Sequence, residues 1–286
     1  KMKKFLALAV TGVLAFGLVG CGGSEAPADN NSTENTDGTE SESGEVTLKI
    51  GASPTPHAEI LAAAKDTLAA EGITLDIIEF NDYVQPNLAL ESGDLDANFF
   101  QHQPYLDLFN QEHDTDLVSI AAVHFEPMSI YAGVVTDLAD IPEGTKVGIP
   151  NDGTNGGRAL LLLEANGLIK LDPEAGFAAT KLNIIENPKN LEIIDMEAAQ
   201  LPLSLSDLGF AVINTNYALQ NGLNSSDALA SETADSLAGE TYANVVAVRA
   251  GDESRPELVK LAEVLESAEV AAYVNDTFNG EIIPIH

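Results

Sequence analysis

The stretch "VTLKIGASPTPHAEILAAAKDTLAAEGITLDIIEF", residues 46–80, decides the fold class of this chain. It begins with an apolar run typical of a strand (46–52), continues with an amphipathic helical pattern (56–72) that ends at Gly72, and closes with a second strand (73–80). This order of strand, helix and strand indicates a βαβ unit. Repeated βα units form mostly parallel sheets that are covered by helices.

The same alternation continues to the end of the chain. Further predicted elements are a short helix and third strand (84–100), a helix (103–113), a long β-rich passage (117–135), a strand (146–150), a helix (155–167), a strand leading into a helix (209–219), a strand (244–250) and two amphipathic helices (255–267 and 268–278). Two sets of βα units joined by β-rich passages indicate an α/β fold of two lobes with mostly parallel sheets, as in extracytoplasmic solute-binding proteins. One doubly wound sheet is the alternative that periodicity leaves open.

The first twenty residues, "KMKKFLALAVTGVLAFGLVG", have the pattern of a secretory signal. Lysines precede an apolar run at 5–19 that is shorter than the roughly 20 residues needed to span a bilayer. The run ends at Cys21, which is the only cysteine and so has no internal disulfide partner. Small residues before a lone cysteine resemble the bacterial lipobox, which predicts cleavage after Gly20 and lipidation of Cys21. An ordinary leader with an incidental thiol is the alternative.

Composition after the leader predicts an acidic tether and restricts the possible partners. Residues 21–45 contain no aromatic and no large aliphatic residue, so this segment is predicted to be disordered. The formal net charge of the chain is −32. Nucleic acid is therefore excluded as a partner, because phosphate binding needs positive charge. Only three arginines occur, at 158, 249 and 255, which makes each of them conspicuous.

Enzyme chemistry has little support in the sequence. The five histidines show no paired spacing such as HxxxH, no GxSxG is present, and the single cysteine is assigned to the lipid. We therefore predict no catalytic residue, no metal site and no cofactor. An exported enzyme or an adhesion module remains the competing class, and an adhesion module does not explain Arg158 beside its glycines.

Nine motifs are spread over the chain after the tether: "PHAEIL" (56–61), "FNDYVQPNLAL" (80–90), "DANFFQHQPYL" (96–106), "HFEPMSIY" (124–131), "IPNDGTNGGRALLLLEANGLI" (149–169), "NPKNLEI" (187–193), "EAAQLPLSLSD" (197–207), "VINTNYA" (212–218) and "YANVVAVR" (242–249). Together they resemble the NlpA-type methionine-binding lipoproteins of ABC importers. The resemblance implies a protein anchored by lipid to the outer side of the cell membrane. It also implies that the two lobes close on methionine and deliver it to a membrane permease driven by a cytoplasmic ATPase.

Arg158 is the candidate for binding a ligand carboxylate. In "PNDGTNGGRALLLL" the pair Thr154/Asn155 is predicted to cap a helix whose free N–H groups favour an anion, with Arg158 in its first turn. An arginine can hold a carboxylate through two hydrogen bonds. Without the resemblance, a surface arginine on a capped helix is the simpler interpretation. The resemblance implies that Asn155 and Arg158 contact the ligand.

Asn214 and Asn244 are further candidates for ligand contacts. Asn214 lies where a predicted strand ends, the position at which open α/β sheets place ligand contacts, and Asn244 directly precedes the apolar strand segment "VVAV" (245–248). An asparagine can accept a hydrogen bond from an ammonium group and donate one to a carboxylate. Either residue alone fits a turn or a helix cap. The resemblance implies that both contact the ligand.

The stretch "DANFFQHQPYLDLF" (96–109) gathers aromatic rings around His102. Aromatic rings suit an unbranched thioether, because each sulfur–ring contact adds roughly 0.3–1.5 kcal/mol to simple burial. The resemblance implies that Tyr83, Phe100 and Tyr105 form the wall of the pocket, with His102 as a hydrogen-bonding partner. Phe99 should point into the core, since neighbouring residues of a strand face opposite sides. For His124 a structural role and a ligand contact are both open.

The chain order predicts how the lobes are built. Lobe one should comprise residues 46–125 and 242–286, and lobe two residues 126–241, so the backbone crosses twice and the crossings act as hinges. The predicted ligand is methionine. The same scaffold binding a methionine derivative or a methionine-containing dipeptide is the alternative.

Overall fold

The structure is a computed structural model that describes residues 45–233 and 241–286. The leader, the lipidation site Cys21 and nearly all of the tether lie outside these residues, so their predicted roles remain predictions. Within the described ranges, no helix combines the length and the apolar character that crossing a membrane requires.

Thirteen strands and eight α-helices alternate along the described part of the chain. The strands are β1 (Val46–Ala52), β2 (Ile73–Glu79), β3 (Ala97–His102), β4 (Leu117–Phe125), β5 (Ser129–Ala132), β6 (Lys146–Pro150), β7 (Lys170–Leu171), β8 (Ile184–Glu186), β9 (Glu192–Met196), β10 (Phe210–Ile213), β11 (Ala228–Ser231), β12 (Ala243–Arg249) and β13 (Ile283–Pro284). The helices are α1 (Glu59–Ala63), α2 (Lys65–Ala70), α3 (Gln85–Glu91), α4 (Gln103–His113), α5 (Gly153–Ala165), α6 (Thr215–Gln220), α7 (Pro256–Leu265) and α8 (Ala268–Phe278). Short 3₁₀ turns lie at 176–178, 181–183, 198–200, 202–207 and 225–227.

The first sheet takes its strands from both ends of the described chain. Its order is β13-β4-β12-β3-β1-β2. β1 pairs in parallel with β2 and β3, whereas β12 lies antiparallel to β3 and β4. Its core includes Leu48, Ile50 and Phe99, which are fully buried against apolar residues of α7 and α8 such as Leu258 and Val274.

The second sheet takes all its strands from the middle of the chain. Its order is β11-β5-β10-β6-β9. β6 pairs in parallel with β9 and β10, and β5 runs antiparallel to β10 and β11. Helix α5 covers this sheet with Leu160 and Leu163, which share a core with Val147 of β6 and with Phe210 and Val212 of β10.

The two sheets belong to the two lobes of a two-lobed α/β fold, as the sequence predicted. The prediction of mostly parallel sheets is wrong, because both sheets are mixed. The antiparallel pairings in these two sheets involve β4, β5, β11 and β12, which lie next to the crossings, and the edge strand β13. The lobe boundaries near residues 125 and 242 remain a prediction.

The helix predicted at 56–72 is broken into pieces. An irregular turn at Pro54–Ala58 precedes α1, and Ala64 separates α1 from α2. The two prolines of the turn, Pro54 and Pro56, have no N–H group for a helical hydrogen bond, so the regular helix begins only at Glu59. Gly72, at φ +78°, ends the unit as predicted.

Candidate functional site

A narrow cavity lies where strands from both sheets end. Only about 20 Å³ of it can hold the centre of a water molecule, which is well below the roughly 300–1,000 Å³ of small-molecule sites. The lining residues are Tyr83, Phe100, Gln101, His102, Tyr105, Glu126, Asn155, Arg158, Asn214, Thr215, Asn216 and Asn244. All eight residues predicted to contact the ligand are among them.

Aromatic rings form one wall of the cavity. Tyr83 lies at the centre of this wall, with its ring centroid 5.9 Å from that of Phe100, 5.7 Å from that of Tyr105 and 4.9 Å from that of Tyr217. Phe99 points the other way, as predicted, and is fully buried in the core of the first sheet. Strand alternation therefore divides the two neighbouring phenylalanines between the core and the cavity.

His102 forms hydrogen bonds through both ring nitrogens, and the bond from Nε2 connects the two lobes. As the N-cap of α4, its Nδ1 accepts a hydrogen bond from the backbone N–H of Tyr105 at 3.2 Å. Nε2 therefore carries the proton and donates to Oδ1 of Asn155 at 3.0 Å. Burial and the neighbouring Arg158 lower the pKa of His102 to about 3. The ring is thus neutral and fixed in one tautomer.

The N-cap of α5 differs from the predicted one. The cap is Asp152, not Thr154 or Asn155, and its Oδ1 accepts from the backbone N–H of Asn155 at 2.8 Å. Burial raises the pKa of Asp152, while hydrogen bonds from Asn155 act in the opposite direction. Because this carboxylate occupies the positive end of the helix, the free N–H groups predicted to attract a ligand anion are already in use.

The Asn155 side chain links three elements at the cavity. Its Oδ1 accepts from His102 and also from Nδ2 of Asn214 at 2.8 Å, and its Nδ2 donates to both carboxylate oxygens of Asp152. The amides of Asn155 and Asn214 are therefore held in one orientation by the protein itself.

The glycines beside Arg158 allow close packing of protein backbone. A Cβ atom on Gly156 would lie 2.8 Å from the carbonyl oxygen of Pro150, and one on Gly157 would lie 2.5 Å from that of Phe177. Both distances are shorter than a carbon–oxygen contact allows. These glycines therefore let α5 pack closely against its neighbours.

Arg158 lies in the second turn of α5 and is paired with a carboxylate of the chain itself. Its side chain is 3% exposed. Nε donates to Glu232 Oε1 at 2.9 Å, and Nη2 donates to Glu232 Oε2 at 2.5 Å and to the carbonyl oxygen of Glu126 at 2.7 Å. The guanidinium carbon lies 4.3 Å from the centroid of the Tyr242 ring. Glu232 lies outside every quoted motif, and sequence analysis did not identify it.

A buried cluster of His57, His124 and Glu126 adjoins the cavity. Nε2 of His124 lies 2.9 Å and Nε2 of His57 lies 3.2 Å from Oε1 of Glu126, and the possible ligand atoms of the three residues lie within 4.8 Å of one another. Two histidines and a carboxylate form a donor set that could hold a metal ion. Sequence spacing missed this cluster because His57 lies far from His124 and Glu126 in the sequence. His124 does not line the cavity, which favours the structural role that the sequence left open.

Four further cavity residues were not predicted: Gln101, Glu126, Thr215 and Asn216. Each lies inside a motif quoted above, so their positions were available even though their roles were not. Asn216 accepts from Tyr83 Oη at 2.6 Å, which connects the two sheets a second time. Among the described residues, Oδ1 of Asn214 and Nδ2 of Asn216 are buried without a hydrogen-bond partner.

Comparison with known proteins places the chain among bacterial lipoproteins. Residues 48–286 match the family model described as NlpA lipoprotein. The chain is 39% identical to the D-methionine-binding lipoprotein MetQ of Salmonella typhimurium over 284 residues, which cover 98% of this chain and 97% of the relative. It is 36% identical to the methionine-binding lipoprotein MetQ of Bacillus subtilis over 289 residues, covering 99% of both proteins.

Solved structures agree with these relatives. A nutrient-binding protein from Burkholderia cenocepacia bound to methionine superposes with a TM-score of 0.79 at 44% identity, covering 84% of this chain and all of that one. A periplasmic substrate-binding protein of an ABC transporter from Coxiella burnetii superposes with a TM-score of 0.77 at 40% identity, covering 83% and 99%.

Proposed function

The chain belongs to the NlpA lipoprotein family, and from this premise we propose that it is an extracytoplasmic substrate-binding lipoprotein that captures methionine between its lobes and delivers it to an ABC importer. The observation that carries the proposal is the cavity itself. It combines an aromatic wall with the buried cation of Arg158 and is lined by residues of both sheets.

The chemistry of the cavity matches the three parts of methionine. Tyr83, Phe100 and Tyr105 offer ring surface to the thioether. Arg158 bonds to Glu232 through Nε and Nη2, so among the described contacts Nη1 is the nitrogen left for a ligand carboxylate. Asn214 and Asn244 add polar atoms on opposite sides of the cleft. Asn155 holds the Asn214 side chain, and Nε2 of His57 bonds to Oδ1 of Asn244 at 3.0 Å.

Closure of the lobes should follow from contacts that span the cleft. The bonds from His102 to Asn155 and from Tyr83 to Asn216 join residues of the first sheet's lobe to residues of the second. A ligand that touches both sides adds to these contacts, and we assign the two crossings near 125 and 242 as the hinges.

A methionine derivative or a methionine-containing dipeptide is the second candidate. A dipeptide needs room for a second residue, so parallel titrations with methionine and with methionine-containing dipeptides distinguish the two candidates.

The lipid and the transporter complete the proposal. A family of lipoproteins supports the assignment of Cys21 as the lipid anchor on the outer side of the cell membrane. The partners would be a membrane permease and its ATPase, and the protein would bind its solute without changing it chemically.

Native mass spectrometry of protein purified from cells tests the proposal, followed by calorimetric titration of the ligand-free protein with methionine. We expect a co-purified mass of methionine that unfolding and refolding remove. The ligand-free protein should then bind added methionine saturably and one to one. A different bound mass, together with no heat of methionine binding, would refute the assignment.

A further inference from the structure

Strand β3 changes register beside the cavity. Its residue Gln101 pairs with Val245 of β12, but Phe99 pairs with the next residue, Val246, so Phe100 is an extra residue without a partner in β12. Such an extra residue is a β-bulge, which bends the strand and turns nearby side chains in a new direction.

The bulge brings neighbouring side chains to the same side of the sheet. In a regular strand Gln101 would point with Phe99 into the core, because every second residue shares a face. Here Phe100 and Gln101 both line the cavity, while Phe99 is fully buried in the core of the first sheet. The aromatic wall therefore depends on a local departure from regular strand geometry.

Three buried amides form a closed network beside the bulge. Asn87 and Gln101 bond to each other twice, from Asn87 Nδ2 to Gln101 Oε1 at 2.8 Å and from Gln101 Nε2 to Asn87 Oδ1 at 2.7 Å. Oδ1 of Asn98 accepts from Gln101 Nε2 at 2.9 Å, and Nδ2 of Asn98 donates to Asn87 Oδ1 at 2.8 Å. Asn87 and Asn98 are fully buried, and Gln101 is 3% exposed.

The amide network ties both sides of the bulge to one helix. Asn98 precedes the bulge at Phe100 and Gln101 follows it, so their hydrogen bond spans the extra residue. Asn87 belongs to α3, and Asn98 Nδ2 donates a further bond at 3.2 Å to the carbonyl oxygen of Pro86 in the first turn of that helix. The bulge is thus held against the start of α3.

Two rings of the aromatic wall are attached to the segments that the network joins. Phe100 is the bulged residue itself, and Tyr83 lies two residues before α3. Their ring centroids are 5.9 Å apart. A change in how the bulge sits against α3 would therefore change the spacing of these rings.

Hydrogen bonding within the network is complete. Among the described residues, the buried side-chain nitrogen and oxygen atoms without a partner belong to His124, Asn214 and Asn216, so none belongs to the network. A fully satisfied buried polar network holds one arrangement of its segments, whereas apolar packing tolerates several. Amides therefore fix the geometry here without adding charge.

We propose that Asn87, Asn98 and Gln101 are positioning residues for the aromatic wall. They lock the bulge against α3, and the ring positions that result make the cavity select amino acids with a long apolar side chain. Asn87 and Asn98 do not line the cavity, so their effect on a ligand is carried by Tyr83 and Phe100. The inference rests on the proposed function and deepens it, since it assigns part of the side-chain selectivity to residues behind the wall.

A network that only stabilises the first sheet gives a different expectation. Its loss would lower the free energy of unfolding and weaken all ligands by a similar factor. If the network positions the rings, its loss weakens ligands whose side chains reach the wall and spares those whose side chains do not. Methionine and alanine are suitable probes, because they share the carboxylate and the ammonium group and differ only in the side chain.

The experiment compares the parent with Asn98→Ala and with the control Asn187→Ala. Asn187 does not line the cavity, and its side chain accepts from the backbone N–H of Leu191 at 2.8 Å and donates to the carbonyl oxygen of Leu191 at 3.0 Å. Both substitutions therefore remove an asparagine that bonds within the protein. Urea unfolding measures stability, calorimetry measures methionine affinity, and NMR titration at millimolar concentration measures the weaker alanine affinity.

We expect both variants to lose stability. Only Asn98→Ala should lose methionine affinity, by about tenfold or more, while its alanine affinity stays within about threefold of the parent, because a wall that is no longer preorganised must be ordered by the ligand. Asn187→Ala should keep the ratio of the two affinities.

A second measurement needs no ligand. Fluorotyrosine can be incorporated at the six tyrosines of the chain, and the fluorine resonance of Tyr83 is identified by its loss in Tyr83→Phe. We expect one sharp Tyr83 resonance in the parent and in Asn187→Ala. In Asn98→Ala this resonance should be shifted or broadened, because the ring is no longer held in one position.

Three results would overturn the inference: an Asn98→Ala protein that keeps the ratio of methionine to alanine affinity, a loss of that ratio that is equally large in the control, or an unchanged Tyr83 resonance in Asn98→Ala. If Asn98→Ala does not fold, Asn98→Ser serves as the second variant, because its hydroxyl keeps one donor. A parent that binds no methionine refutes the proposed function, while the fluorine comparison still decides whether the amides position Tyr83.

Discussion

Arg158→Ala removes a guanidinium that is 3% exposed and leaves the carboxylate of Glu232 buried without its partner. Deleting one member of a buried ion pair costs about 3–5 kcal/mol of folding stability, because the remaining charge is uncompensated. Hydrogen bonds from Nε and Nη2 to Glu232, and one from Nη2 to the Glu126 carbonyl, are lost together. The variant should therefore be clearly less stable than the parent even before any ligand is added.

Removal of Glu232 as well separates stability from binding. The double variant Arg158→Ala/Glu232→Ala no longer has the unpaired Glu232 carboxylate, so part of the lost stability should return. Methionine affinity should stay about 2–5 kcal/mol weaker in both variants, roughly 30-fold to 4,000-fold in Kd, because the cation for the ligand carboxylate is absent from both.

Urea unfolding of the parent, both single variants and the double variant gives the coupling energy of the pair, and calorimetry of the same four proteins gives the methionine affinities. A double variant that binds methionine within about threefold of the parent would show that Arg158 does not hold the ligand carboxylate. If the stability losses of the two single variants add up to that of the double variant, Arg158 and Glu232 do not act as a pair.

Three further outcomes are expected. Phe100→Ala should weaken methionine binding by about 2–4 kcal/mol and glycine binding much less, and parent-like methionine binding by this variant would assign the ring to the core alone. The parent should bind norleucine, which lacks the sulfur, more weakly than methionine by roughly 0.3–1.5 kcal/mol. Cys21→Ser, expressed with its leader, should leave the membrane fraction after a high-salt wash, and quantitative retention would contradict lipidation. The free energy of unfolding should fall as the pH drops from about 6.5 to about 4, by up to about 1.4 kcal/mol per pH unit for each buried histidine, because the unfolded chain takes up protons that the folded chain does not. The two buried carboxyl groups with raised pKa, Glu126 and Asp152, reduce this slope. Urea unfolding at stepped pH measures the profile, and a flat profile would contradict the prediction. The histidines concerned are His57, His102 and His124.

Local patterns predicted several elements to the residue. The strands at 46–52 and 146–150 and the helices at 103–113 and 268–278 have the predicted bounds, because each has a clear apolar period and an unambiguous end. The pattern at 56–72 misled because its apolar period continues through prolines that a regular helix cannot accommodate. Strand direction was mispredicted as well, since periodicity carries no information on which way a neighbouring strand runs.

The candidate site was also predictable only in part. The residues gathered around the cavity were identified through motifs, yet the partners of those residues were not. Asp152 and Glu232 occupy the positions next to α5 that were assigned to a ligand anion, and neither pairing is encoded in local spacing. Glu232 is 74 residues from Arg158 in the sequence, so only the folded chain brings the two together.

The position of β12 in the first sheet has a consequence for biosynthesis. β12 lies between β3 and β4, and β4 has only β12 and β13 as neighbours in that sheet. Both of these strands come from the last 44 residues of the chain, Ala243–His286. While the chain is synthesised from its N-terminus, β4 has no neighbouring strand with which to pair. The first sheet can therefore be completed only when almost the whole polypeptide is present. For a chain with a predicted export signal this delay is favourable, because a polypeptide that has not finished folding can still be threaded through a translocation channel.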